Sequence, residues 1–347
     1  MGLRQQSVVA SINIAEAIAL GWPIVDVRSP KEFNQGHIPN AINISLFSDN
    51  ERAQVGTIYK QQSKEAAIEL GYTFVNPKLE NFISQAQQLA PNKQIIIHCW
   101  RGGMRSQSFA QHLSENGFSN VKVVSGGYKA YRNYVLQNLA NPVPIKLLGG
   151  YTGSGKTYIL QELEKRGHQI LDLEGLAHHK GSAFGGIGQA EQPTSEQFEN
   201  FLLGEIQNLD LSKPVWVEDE SYSIGSVNVP KQFHQQMRNA KLIFIDIPKE
   251  ERAKHLVEEY ANVGDNQLAE SILKLSKRLG GVGVKTALDL LKQHNYFEVA
   301  LLSLQYYDKL YTKGKNRRSN EDMTVLQLTT TNHHENALTL EKLKTHE

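Results

Sequence analysis

The octapeptide Gly150-Tyr151-Thr152-Gly153-Ser154-Gly155-Lys156-Thr157 narrows the folds open to this chain more than any other stretch. It fits G-x-x-x-x-G-K-[ST], and its flanks matter as much as the pattern. Residues 145–148 read as a strand that runs into the loop, and residues 156–166 as a helix that leaves it. A strand handed to a helix through a glycine turn is the building unit of a parallel α/β sheet. The same unit carries a chemistry. Glycines let the backbone wrap a phosphate with its N–H groups, the helix N-terminus adds partial positive charge, a lysine reaches a terminal phosphate and a hydroxyl can ligate Mg²⁺. Gly150, Gly153, Ser154, Gly155, Lys156 and Thr157 are therefore the expected phosphate-binding residues, with a diphosphate or triphosphate as ligand.

The rest of the second half keeps the alternation. Strands are expected over 168–173, 214–218 and 241–247, a helix over 195–209, and helices over 249–263, 266–279, 284–292 and 296–307. A carboxylate beside the phosphate loop should end a neighbouring strand, and Val215-Trp216-Val217-Glu218-Asp219-Glu220 supplies three consecutive acids. Side chains alternate along a strand, so Asp219 and a neighbour cannot face the same site. Glu218, Asp219, and Asp172 with Glu174 after the preceding strand are the candidates to hold metal or water, and the sequence leaves the choice among them open. Residues 175–186 hold His178, His179 and Lys180 among glycines, which reads as a functional loop approaching phosphate or base. No acid or cysteine accompanies the histidines at zinc spacing.

The first half is a second α/β pattern, with strands over 23–27, 41–44, 94–98 and 121–124 and helices over 78–89, 106–116 and 128–139. Its apolar run Ile95-Ile96-Ile97-His98 stops at Cys99, the one cysteine among 347 residues, and a loop of glycines and arginines follows, Trp100-Arg101-Gly102-Gly103-Met104-Arg105-Ser106. Such a turn presents successive amides to the sulfur and two guanidiniums to an anion, which lowers a thiol pKa. Cys99, Arg101 and Arg105 are the expected catalytic residues. At this length two cores are expected, and Asn141-Pro142-Val143-Pro144 marks the boundary, giving domains 1–140 and 141–347. With 37 basic against 36 acidic side chains, the formal charge of +1 recruits no polyanion globally, so nucleic-acid contact must come from local patches. A single cysteine, no apolar leader in residues 1–11 and no run near the roughly 20 apolar residues of a membrane span predict a cytoplasmic protein without membrane contact.

Two further stretches carry a resemblance. Asp26-Val27-Arg28-Ser29-Pro30-Lys31-Glu32-Phe33 and Gly36-His37-Ile38-Pro39-Asn40-Ala41 look like the signatures ahead of a rhodanese active site, with Cys99 in the persulfide-forming position. Joined to a phosphate-loop domain bearing 175–186 and Glu218-Asp219-Glu220-Ser221, the arrangement resembles the bacterial tRNA 2-selenouridine synthases over nearly the whole chain. The resemblance implies an N-terminal rhodanese-like parallel-sheet domain and a C-terminal P-loop NTPase-like α/β domain with a helical C-terminal extension. It also implies a transferase that exchanges the sulfur of a wobble 2-thiouridine in tRNA for selenium from selenophosphate, through an S-geranylated intermediate made with geranyl diphosphate. Selenophosphate and geranyl diphosphate are then substrates, no cofactor is expected to be tightly bound, Mg²⁺ is an open option, and the selenophosphate-producing enzyme is a candidate partner.

A tRNA partner needs basic patches. Lys274, Lys277 and Arg278 share one helical segment, and Lys309, Lys313, Lys315, Arg317 and Arg318 form the densest run, interleaved with Tyr306, Tyr307 and Tyr311. Two other function classes compete. Cys99, five residues, then Arg105-Ser106 also fits a cysteine phosphatase, so a rhodanese-fold sulfurtransferase or phosphatase fused to a small-molecule kinase is one alternative; a non-catalytic nucleotide-binding adaptor is the other.

Overall fold

The computed structural model describes residues 9–260, 262–315 and 322–343. The chain divides into two compact units, residues 1–138 and 139–347. In the first, β1 (Ala10–Ile12), β2 (Ile24–Asp26), β3 (Ile42–Asn43), β4 (Gln94–His98) and β5 (Asn120–Val124) form a sheet in the order β1-β5-β4-β2-β3, every pair parallel. Helices cover both faces of such a sheet, which is why the middle of the central strand is a continuous apolar run and not alternating. Ile95, Ile96 and Ile97 are fully buried, and Ile95 and Ile97 pack with Phe82, Phe109 and Leu113 from flanking helices. Two helices start at capping boxes, in which a serine side chain and a glutamate three residues on satisfy each other's backbone amides. Ser29 with Glu32 opens Pro30–Gln35, and Ser48 with Glu51 opens Asp49–Gln61.

In the second unit, β6 (Ile145–Gly150), β7 (Gln169–Leu171), β8 (Val215–Glu218), a small antiparallel pair β9 (Ser223–Ile224) and β10 (Val227–Asn228), β11 (Leu242–Asp246) and β12 (Met323–Gln327) are the strands. The main sheet runs β12-β11-β6-β8-β7, all parallel. The phosphate loop thus leaves the central strand, and the acids after β8 emerge beside it, with Glu218 in register with Leu148. That crevice beyond the carboxyl ends of the strands is where open α/β sheets bind ligands.

Helices Lys249–Glu259, Asp265–Lys274, Ser276–Lys292 and Tyr296–Lys315 follow β11, the third of them broken at Gly280. This helical region then gives way to β12, a strand the sequence reading does not place, which returns to pair with β11 from Leu242–Met323 to Asp246–Gln327. Helix His333–Glu341 closes the unit against Lys156–Lys165. Among the described residues no helix is long and apolar enough to cross a membrane.

Candidate functional site

Each unit carries a glycine-containing turn between the end of its central strand and a helix N-terminus. In the first, β4 delivers Cys99 to the loop and the helix Met104–Glu115 leaves it. The thiol is 4 % exposed, and its Sγ lies 3.3 Å from the Ser106 hydroxyl, which also sits 3.0 Å from the Gly103 carbonyl. Burial alone would push the Cys99 pKa up. Ser106, the Arg105 charge and the amides of Arg101 and Ser106 outweigh it, and the net shift is downward.

Arg101 acts on the sulfur through its backbone N–H, and its side chain is exposed. The Arg105 guanidinium is shared, with Nη1 2.8 Å from Glu32 Oε2. Glu32 is buried enough to resist ionisation, yet Arg105 holds its pKa below the usual value.

Two features support this loop that sequence reasoning missed. Gly126 and Gly127, both at positive φ, bring the following turn against it, so that a Cβ on Gly127 would lie 2.3 Å from the Cys99 carbonyl oxygen. The amides of Tyr128 and Lys129 then donate to the carbonyls of Cys99 and Trp100. Paired glycines between a strand and a helix were the available signal. Beneath the loop, the Asp26-Val27-Arg28 signature is a buried brace. Arg28 Nη2 lies 2.6 Å from Asp26 Oδ2 and 2.6 Å from the Gly36 carbonyl, with its guanidinium carbon 3.8 Å from the Tyr128 ring centre. His98 is fully buried, its Nε2 3.7 Å from Asp26, and burial lowers its pKa.

In the second unit the phosphate loop runs from Gly150 into helix Lys156–Lys165, with Gly153 and Gly155 at positive φ. The Ser154 hydroxyl donates to the Tyr151 carbonyl, 2.5 Å away. Arg252, unremarked in the sequence, fastens the loop. Its Nη1 donates to the Thr152 carbonyl at 3.0 Å while the guanidinium grips both Asp308 oxygens at 2.9 and 3.0 Å. Lys156 Nζ stands 3.4 Å from Glu218 Oε1, and the Thr157 hydroxyl 2.9 Å from Glu174 Oε2 and 3.3 Å from Glu218 Oε2.

The acids sort themselves by geometry. Glu174, Glu218 and Glu220 are buried together, with ligand atoms all within 4.8 Å of one another. Burial raises all three, Glu220 to about 7, with repulsion from neighbouring acids of the cluster adding to Glu174 and Glu220 and the Asp172 charge adding to Glu218, against the opposing pull of Lys156. Asp219 points away to an ion pair with Arg238, and Asp172 caps the helix Leu173–Ala177 by accepting from the Gly175 amide at 2.8 Å. Of the acids proposed from sequence for metal or water, Glu174 and Glu218 join the cluster, and Asp172 and Asp219 do not. The cluster's oxygen donors, with the Thr157 hydroxyl, are the hard set that suits Mg²⁺. Gly181 presses its backbone onto this group, since a Cβ there would lie 2.7 Å from Glu174 Oε1.

A cavity of about 1290 Å³ opens over the loop and the acids, and His178, His179 and Lys180 line it. Lys180 bonds Glu259 at 2.5 Å, and His255 turns a buried, unpartnered Nε2 toward Gly155.

Residues 143–337 match the tRNA 2-selenouridine synthase AAA domain, and residues 12–134 match the rhodanese-like domain. A tRNA 2-selenouridine synthase from Shewanella woodyi is 36 % identical over 344 residues, covering 88 % of this chain and 91 % of that protein. The chain belongs to the tRNA 2-selenouridine synthase family. Other synthases of the family, from Nitrosomonas europaea and Proteus mirabilis, are 39 % and 40 % identical over 69 % and 74 % of this chain and 63 % and 70 % of their own length. The family's two domain types thus coincide with the two sheets, one around Cys99 and one around Lys156. Of the basic residues expected to meet RNA, Lys274, Lys277 and Arg278 are exposed on the rim of the large cavity, Arg278 stacked over Tyr306. Arg317 and Arg318, and the side chains of Lys313 and Lys315, lie outside the described residues.

Proposed function

We propose that this chain is a tRNA 2-selenouridine synthase that replaces the sulfur of a wobble 2-thiouridine by selenium in two steps. In the first, the thiocarbonyl sulfur attacks C1 of geranyl diphosphate, the C–O bond breaks, and diphosphate leaves with the electron pair. Lys156, Thr157 and the loop amides stabilise that departing charge. In the second, selenium from selenophosphate adds at the ring carbon and the geranyl thiol departs, so the exchange needs no redox cofactor. Cys99 attacks the donor's phosphorus, the P–Se bond breaks and selenide leaves toward the ring carbon, and water then hydrolyses the phosphorylated thiol to phosphate; Arg105 with the loop amides binds the donor's phosphate.

Mg²⁺, held by Thr157 with Glu174, Glu218 and Glu220, supplies further positive charge at the diphosphate when bound. Lys274, Lys277, Arg278, Lys313, Lys315, Arg317 and Arg318 meet tRNA phosphates in this reading.

The observation that carries it is the environment of Cys99, a buried thiol whose pKa is nevertheless lowered by an anion-binding loop, on a chain that also bears a complete phosphate loop. The test is mass spectrometry of tRNA nucleosides after incubating the protein with thiolated tRNA, geranyl diphosphate and selenophosphate. A 2-selenouridine product is expected; its absence with intact protein and active donors defeats the reading.

A further inference from the structure

Beside the phosphate loop lies a second cavity of about 190 Å³ that no part of the reaction above uses. It shares Thr152, Ser182, Leu256, Tyr260 and Tyr307 with the large cavity, so the two spaces meet at the loop. Its depth is hydrocarbon, from Leu268, Val299 and Leu304, with Phe184 of the glycine-rich loop forming a wall.

Three polar groups of its lining are already engaged by the protein. The Tyr307 hydroxyl accepts from the Ala183 amide at 2.8 Å, Tyr296 donates to Asp265 at 3.0 Å, and Ser303 donates to the Val299 carbonyl at 2.9 Å. Burial further keeps Tyr260 and Tyr307 in the neutral form. A space lined this way offers a ligand mainly hydrocarbon contact, so it favours a hydrocarbon over a ribose or a base. A cavity of about 150 Å³ houses a six-carbon ring, so this one has room for a hydrocarbon of roughly six to ten carbons.

We propose that this cavity receives the hydrocarbon chain of a prenyl diphosphate whose diphosphate lies on the loop Gly150 to Thr157. The assignment rests on the diphosphate reading given above and adds where the chain goes and what sets its length. It also gives residues 178–187 a task, because Phe184, 6.0 Å from the Tyr260 ring, closes the hydrocarbon inside.

The experiment is calorimetric titration of the full chain with inorganic diphosphate and with dimethylallyl, geranyl and farnesyl diphosphates. Affinity should climb about 30-fold from inorganic to geranyl diphosphate and gain nothing further with farnesyl. Equal affinity for inorganic and geranyl diphosphate overturns the subsite and leaves the diphosphate reading standing, whereas binding of neither overturns the diphosphate reading itself. A further rise with farnesyl overturns the bounded cavity. Val299→Trp, which fills the space, should cancel the geranyl advantage; its survival in a variant that melts like wild type also overturns the assignment.

Discussion

The two anion turns are built alike, a central strand, a glycine turn and a helix N-terminus, yet their electrostatics run in opposite directions. Around Cys99 the fixed charges and amides overcome burial and favour the ionised thiol. Around Lys156 one ammonium faces three buried carboxylates, and burial wins, so the carboxylates hold their protons to higher pH. The first turn eases ionisation of its thiol before any ligand arrives. The second carries acid oxygens that a cation or an altered pH must complete. The same backbone geometry therefore specifies an anion site, and the side chains behind it decide what chemistry the site is ready for.

The contrast breaks most readily at the reacting groups. Cys99→Ala should lower selenium incorporation by about 10³-fold or more while sparing S-alkylation. Lys156→Ala should lower alkylation by about 10²- to 10³-fold. Both are read by mass spectrometry of tRNA nucleosides, and identical defects in the two variants would contradict the division between the turns. The brace below Cys99 should matter for folding first. Arg28→Ala leaves a buried carboxylate without its partner, and a loss of about 3–5 kcal/mol in chemical unfolding is expected.

Glu220 sharpens the other side. Below its unfolded pKa both folded and unfolded chains carry the proton, and above about 7 neither does; between them only the folded state holds it. Stability should therefore fall as pH rises from about 4.5 to 7, by on the order of 2 kcal/mol. Glu220→Gln should lack that fall, and parallel wild-type and variant pH profiles in urea unfolding would refute the assignment. The smallest effect is expected at Ser106. Removing its hydroxyl raises the thiol pKa, so Ser106→Ala should slow alkylation of Cys99 by iodoacetamide at neutral pH about three- to tenfold.

What the sequence discloses depends on whether the signal is local. The strand over 94–98 was legible to the residue because a branched apolar run is bounded by a polar residue and a glycine loop. The phosphate loop was legible because its glycine spacing is obligatory. The helices Asp49–Gln61 and Lys64–Val75 escaped notice, since neither shows a clear apolar stripe, and Ser48 with Glu51 was their only announcement. That β8 brings an acid beside the phosphate loop was legible, but the choice of Glu174, Glu218 and Glu220 over Asp172 and Asp219 was not, because it depends on the path of the chain after β7 and β8. Asp172 and Asp219 looked equally suitable on residue type. A cap needs only a free amide three residues on, and an ion pair needs only Arg238, and neither partner has a signature at the level of composition.

The return of β12 after the long helical excursion has a consequence for any shortened form of this chain. A version ending within Tyr296–Lys315 would expose the outer side of β11, whose Leu242, Ile243, Phe244 and Ile245 are all buried in the complete sheet. An uncovered, uncharged apolar margin of that kind is a template for other chains. Fragments truncated there should precipitate even though the phosphate loop, far upstream, is intact.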